Sequence, residues 1–325
     1  MGLCILTLSQ NILLAQDTIT GFKKQVQRKI RAEFPRTRIL NFEYGQSFSR
    51  DFESELFEED FQEGEIQNQK TFNVAINLPF YRKEELVLTA SADYAFNEFT
   101  FNDLENISVE SPFEQDGTVD FHNFSTAASA TYFSKLFKKP VIFNGSLIAD
   151  GNEDGYQRFK GLVGGSMVLK KTDWTTMTVG VIVFIDPTSQ IPFFPTFTYN
   201  HKFKSSEWEF DFILPSRVLL RRPMGSNGRL SLGSTFGGNG FYVNVDNPDF
   251  ADVFEYSQLE INTGIIYEHR LSYNLVATAK GGLTNFLSTR LTEKGEPTRD
   301  FIYKNTQKAT GYFNVGFSFN PFAKK

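Results

Sequence analysis

Leu86-Val-Leu-Thr-Ala-Ser-Ala-Asp-Tyr-Ala-Phe-Asn97 decides the fold. Leu86, Leu88, Ala90, Ala92, Tyr94 and Phe96 take every second position, while Glu85, Thr89, Ser91, Asp93 and Asn97 alternate with them. Successive side chains of a strand point to opposite faces, so this stretch has one oily and one wet face. The pattern recurs on both sides of it. Leu40, Phe42 and Tyr44 oppose Asn41, Glu43 and Gly45, and Phe72, Val74, Ile76 and Leu78 oppose Thr71, Asn73, Ala75 and Asn77. Further on, Met177, Val179, Val181 and Val183 alternate with Thr176, Thr178 and Gly180, and Trp208, Phe210 and Phe212 with Glu207, Glu209 and Asp211. Tyr273, Leu275, Ala277 and Ala279, then Phe313, Val315, Phe317 and Phe319, repeat it to the end. An all-β, antiparallel fold is expected.

Composition narrows the class. The chain has 325 residues, 36 Phe, 12 Tyr and one Cys, with a net charge of -5. So many rings argue against extensive disorder, and a lone cysteine allows no internal disulfide framework. Mean hydropathy is nevertheless -0.30, so the rings are dispersed among polar residues. No apolar run reaches the roughly 18 residues a membrane helix requires, which leaves strands as the only means of crossing a bilayer.

The joints between strands favour a membrane barrel over a soluble sandwich. Short basic turns (79–84, 135–140, 170–173, 202–206, 268–272) alternate with longer links (51–65, 97–120, 150–156, 186–192, 288–305). The segment 51–65 carries eight carboxylates, including Glu55, Glu58, Glu59, Asp60 and Glu63, and no Lys or Arg. Arg82, Lys83, Lys135, Lys138, Lys139, Lys170, Lys171, Lys202, Lys204 and Arg270 crowd the short turns. Outer-membrane barrels have such unlike ends, with short periplasmic turns and longer external loops. The expected fold is therefore a transmembrane antiparallel up-and-down β-barrel in a bacterial outer membrane. Rings at strand ends, among them Phe80, Tyr81, Tyr132, Phe133, Phe193, Phe194, Tyr199, Phe203, Trp174 and Trp208, are expected in interfacial girdles.

Strand count rests on the middle of the chain. Residues 38–203 supply eight strands and 253–319 three, while 206–246 offers turns at Leu214–Arg217, Met224–Gly228 and Gly237–Gly240, where the apolar phase flips. Parity favours 14 strands, with three from this middle. Twelve results if Leu214–Arg222 folds inward as a plug. Residues 1–15 read as a signal peptide ending near Ala15, 16–37 as a periplasmic lead-in interrupted at Phe34-Pro35, and 38–322 as the barrel.

A charge on the lipid face at mid-membrane costs roughly 2–4 kcal/mol, so Glu209, Asp211 and Lys280 are expected inside the lumen. Together with Glu207, Arg217, Arg221 and Arg229 they form a candidate constriction, either tightly paired and filled or open to small polar solutes. Residues Glu55, Glu58, Glu59, Asp60 and Glu63 form a candidate external acidic loop.

Gly311-Tyr-Phe-Asn-Val-Gly-Phe-Ser-Phe319, Asn77-Leu-Pro-Phe80 and Phe212-Ile-Leu-Pro215 with the basic residues after it resemble an uncharacterised family of Gram-negative outer-membrane β-barrels, a domain-of-unknown-function group. The resemblance implies location and fold, and assigns no catalytic or ligand-binding residue.

Enzymatic motifs are absent: no G-x-S-x-G, H-E-x-x-H or Walker loop occurs. His122 is placed at an outer strand end and His201 and His269 near periplasmic turns, too far apart to share a site. No enzyme, cofactor or metal is expected, although the acidic segment 51–65 offers carboxylates to divalent cations and through them to lipid headgroups. The acidic outer end disfavours nucleic acid. The expected partners are outer-membrane lipids, small polar solutes and the barrel-insertion machinery, the last through the C-terminal strand. The function expected first is a passive pore or uptake channel. A non-conducting barrel that binds surfaces through its acidic loops and a lipid-modifying enzyme are the alternatives.

Overall fold

The computed structural model describes residues 38–106 and 117–321. The signal peptide and lead-in lie outside the described residues. The chain runs through β1 (Leu40–Ser47), β2 (Arg50–Leu56), β3 (Glu59–Arg82), β4 (Leu86–Asn106), β5 (Gly117–Leu136), β6 (Lys139–Asn152), β7 (Gly155–Lys171) and β8 (Thr175–Ile185). It continues through β9 (Phe193–Lys202), β10 (Glu209–Leu214), β11 (Arg217–Met224), β12 (Gly228–Asn244), β13 (Val253–Arg270), β14 (Leu275–Glu293), β15 (Phe301–Gln307) and β16 (Thr310–Phe319).

Every strand from β3 to β14 pairs antiparallel with its sequence neighbour. Closure comes from β1, which pairs with β3 on one side and with β16 on the other, Leu40 opposite both Ile76 and Phe319. β16 in turn pairs with β14. The closed ring therefore holds 14 strands. β2 and β15 continue β1 and β16 beyond short breaks, and pair with each other and with β3 and β14. A twelve-stranded barrel with Leu214–Arg222 as a plug is excluded, because β10 and β11 pair in the wall with β9 and β12. Gly237–Gly240 is no turn either. β12 runs through it in continuous register with β13.

The oily faces point outward. Phe42, Phe72, Ile76, Leu78, Val179, Phe317 and Val315 are all exposed, Ile76 at 42% and Phe317 at 51%, while Ala75 and Asn77 beside them are buried. Water would make such exposure costly at about 25 cal/mol per Å², so hydrocarbon is the solvent of this belt. On β4 the belt spans Leu86 to Phe96, ten steps of about 3.4 Å on strands tilted about 40°, which rises roughly 26 Å and matches an outer-membrane apolar band. A girdle marks the short-turn end, where Phe80, Tyr81, Tyr132, Trp174 and Phe203 stay exposed. There Lys83 lies 5.7 Å from the Tyr81 ring and Lys204 5.8 Å from that of Trp174. Phe133 departs from the expected girdle, buried against Ile142, and so does Phe194. Phe194 faces inward and packs on Leu162, Ile182 and Phe184.

Beyond the belt the apolar face changes sides. On β4 the outward rings Tyr94 and Phe96 give way to Phe99 and Phe101, and on β5 outward Phe124 gives way to inward Phe121. Phe52, Ile66, Phe99 and Phe241 form a buried cluster there, inside the barrel. Strands above the bilayer meet water on the outside and must hide their rings within. The segment 51–65 is accordingly no loop: β2 and β3 form a hairpin with Phe57 and Glu58 at its tip, both at positive φ.

Candidate functional site

The lumen divides into two levels. Near the short-turn end, charged side chains pair in three separate groups. Asp211 on β10 is 2% exposed and accepts hydrogen bonds from Arg217 Nε at 2.8 Å and pairs with Arg221 at 2.6 Å, two arginines that share one face of β11. Glu268 on β13 pairs with Arg229 at 2.6 Å and with Arg38, which also donates to Ser318 at 2.9 Å. Glu43 on β1 takes Lys280 at 2.6 Å and Asn314 at 2.9 Å. Buried charges survive only when paired and hydrogen-bonded, and these are.

Six of the seven expected constriction residues thus face the interior, but as local pairs instead of one ring. Glu209 bonds to its neighbour Asn200. Glu207 is the exception: it sits in the turn between β9 and β10, with its side chain 70% exposed, and approaches Arg222 at 3.5 Å. Alternation continued one residue too far puts it inside; the strand begins only at Glu209.

The external level is closed by an element the sequence did not announce. β10 has six residues and β11 eight, whereas β12 has 17. Six residues rise only about 15 Å, so the β10–β11 hairpin ends below the top of the apolar belt. β12 pairs with β11 only from Gly228 to Thr235, extended by a bond from Phe236 N to Ser216 O at 2.9 Å. From Gly237 onward its edge has no strand partner on that side among the described residues and turns into the barrel, where it reaches β5 and β6, strands it does not pair with.

This inner wedge is covered on both faces. On one, Phe241 stacks on Phe121 with centroids 4.2 Å apart and on Tyr256 at 4.3 Å, and Asn239 bonds to Asn97. On the other, Tyr242 donates to Asp150 at 2.7 Å, and Glu255 takes Lys160 at 2.6 Å and Arg158. Arg158 also holds Asp186 at 2.7 Å, in the 186–192 link. That link folds inward: Asp186, Thr188 and Ser189 are buried, and Gln190 donates to Ser257 at 2.7 Å. Burial beside Glu255 and Asp150 pushes the Tyr242 phenol far above its ordinary value, so the hydroxyl remains a donor. The cavity left among Asp150, Lys160, Thr188, Tyr242 and Glu255 is about 30 Å³, room for about one water. Rings stacked at contact distance leave no passage between β12 and β5.

Arg158, Lys160, Asp186, Tyr242, Glu255 and the Phe121–Phe241–Tyr256 stack were not among the expected site residues. Their one trace in the sequence is the phase flip at Gly237–Gly240.

Elsewhere the external carboxylates are dispersed. Glu58, Glu59, Asp60 and Glu63 are exposed, while Glu55 bonds to Lys304 at 3.0 Å. Among the described residues no group of three or more His, Cys, Asp or Glu side chains is placed to hold a metal ion. The histidines stay apart, His122 on Tyr94 at 2.9 Å, His201 on Thr175 at 2.8 Å and His269 on Tyr267 at 3.0 Å.

No family model matches the chain, and no curated protein matches it. Among solved structures it is similar to an outer membrane channel from Pseudomonas putida F1, at 11% identity over 86% of this chain and 94% of that one, TM-score 0.36. It is also similar to a Pseudomonas aeruginosa FadL homologue, at 7% identity over 86% and 90%, TM-score 0.36. A third is the transport unit of the autotransporter AIDA-I from Escherichia coli, at 10% identity over 97% of both chains, TM-score 0.33. At this degree of superposition none of them lends this chain a role.

Proposed function

We propose that this chain is a non-enzymatic outer-membrane channel for small solutes, closed at its external level in the conformation described and opened by movement of the β12–β13 wedge. The observation that carries the reading is the wedge itself. Side chains alone can fill a structural barrel, whereas a strand pair that leaves the wall and is held across the lumen by side-chain contacts is a part that can move, as a gated channel requires. Ion pairs beneath it supply a charged path once the wedge withdraws. Outer-membrane lipids contact the belt, the insertion machinery takes the C-terminal strand β16, and nucleic acid is no partner.

Two measurements test this. Heat-modifiable migration of the protein from an outer-membrane fraction checks the location. Planar-bilayer recording checks the activity: discrete openings from a closed level are expected, and a folded, inserted barrel that shows no step at any applied voltage refutes the channel.

A further inference from the structure

Above the β10–β11 hairpin the wall is not joined by backbone hydrogen bonds among the described residues. β9 pairs with β10 only from Phe197 to Lys202, and its upper residues Phe193 to Thr196 bond on the β8 side alone. Across the notch stands the free edge of β12 from Gly237. The gap is closed by overlap. Phe236 belongs to the same alternating set as the outward residues Leu230 and Leu232, yet it meets the inward ring of Phe194 at 6.2 Å. Tyr242 and Glu255, likewise on the outward-facing set, meet the inward residues Asp150, Arg158 and Lys160. The outer face of β12–β13 is therefore tucked beneath the inner face of β6–β9, as the margin of a scroll lies under its own sheet.

We propose that this overlap is a lateral gate through which apolar or amphipathic small molecules pass between the lumen and the outer leaflet. The proposal rests on the channel reading and gives it a substrate class and an exit. Three features point the same way. The notch opens at a height where the neighbouring wall still faces hydrocarbon, since Phe193, Leu214 and Val218 around it are exposed. Its lip is made of two rings in side-chain contact, which part without breaking a strand ladder. Polar groups hold it shut from within, Glu255 between Arg158 and Lys160 and Gln190 on Ser257, so closure is reversible and local. A hydrated ion leaving by this route would have to shed its water into lipid, at a cost of several kcal/mol; an apolar molecule gains by the same step.

The test uses the full chain in a Cys4→Ser background with Phe194→Cys and Phe236→Cys, bridged by a short bis-methanethiosulfonate linker that dithiothreitol removes. Entry of N-phenyl-1-naphthylamine into intact Gram-negative cells expressing the protein is followed by fluorescence. Linking is expected to reduce protein-dependent entry at least about fivefold and reduction to restore it, while Glu255→Gln raises entry severalfold before linking and not after. Undiminished entry through protein shown by mass to be fully linked overturns the lateral gate but leaves the channel standing. An unlinked protein that neither admits the dye nor conducts ends both. No gain in Glu255→Gln, with its heat-modifiable migration retained, removes the latch.

Discussion

Phe241→Ala separates the wedge from the wall that carries it. The ring is 4% exposed and lies between Phe121 and Tyr256, at 4.2 and 4.3 Å. Truncating a buried Phe costs about 3–5 kcal/mol, which includes stacking worth about 0.5–1.5 kcal/mol per ring pair. Below Thr235 the barrel is paired strand to strand and makes no use of this ring; the Tyr256 stack lies within β12–β13 and survives undocking, so roughly half of the loss, that of the Phe121 and Phe99 contacts, falls on docking of the wedge. At about 1.4 kcal/mol per tenfold change, the undocked population rises by roughly one to two orders of magnitude. Planar-bilayer recording reads this as opening frequency, which should rise at least about tenfold, with Phe241→Leu in between. Closed times equal to those of the unaltered protein, in a variant whose heat-modifiable migration shows a folded barrel, would refute the claim that the stack holds the lumen shut.

Other consequences follow from the same geometry. Asp211→Ala leaves Arg217 and Arg221 buried without their carboxylate; a loss of about 3–5 kcal/mol is expected in urea unfolding of the refolded barrel, against far less for Glu207→Ala. Ile76→Lys puts a charge on the hydrocarbon face and should cost about 2–4 kcal/mol in folding into bilayers, whereas Ala75→Ser, on the inner face, should cost little. Both tryptophans, Trp174 and Trp208, lie at the short-turn end, where Arg222 stands 5.4 Å from the Trp208 ring. Lipids brominated near the headgroup should quench their emission more strongly than lipids brominated at mid-chain, and the reverse order would displace the girdle.

Barrel class and strand number were legible because lipid imposes the simplest pattern a strand can carry. Leu86 to Phe96 and Phe313 to Phe319 keep one face apolar throughout, with Val87 and Ala95 the only apolar intrusions on the wet face of the first, and closure to 14 strands follows from parity. Above the bilayer the same rule misleads. The flip from Leu232 and Phe236 to Phe241 and Val243 looks like a turn, since on one strand a change of oily face normally means a change of direction. Here the strand continues and its surroundings change instead. The hairpin looks like a loop over 51–65 because eight carboxylates mask the inward set Phe52, Ser54 and Ile66. Lumen charges follow by elimination, since they cannot face lipid, but elimination does not say which acid meets which base. Asp211 with Arg217 is local in sequence; Arg158 with Glu255 is 97 residues apart and required the fold.

The swap of apolar faces along β4 and β5 carries a consequence for biogenesis. A growing strand must present Tyr94 and Phe96 to acyl chains, yet carry Phe99 and Phe101 past them to a compartment where those same rings shun water together. The extracellular crown is thus a miniature soluble protein that has to be threaded through the membrane before it can collapse. Its rings can gather only once they have crossed the bilayer, so a barrel arrested during insertion is expected to hold its transmembrane hoop with the crown still molten.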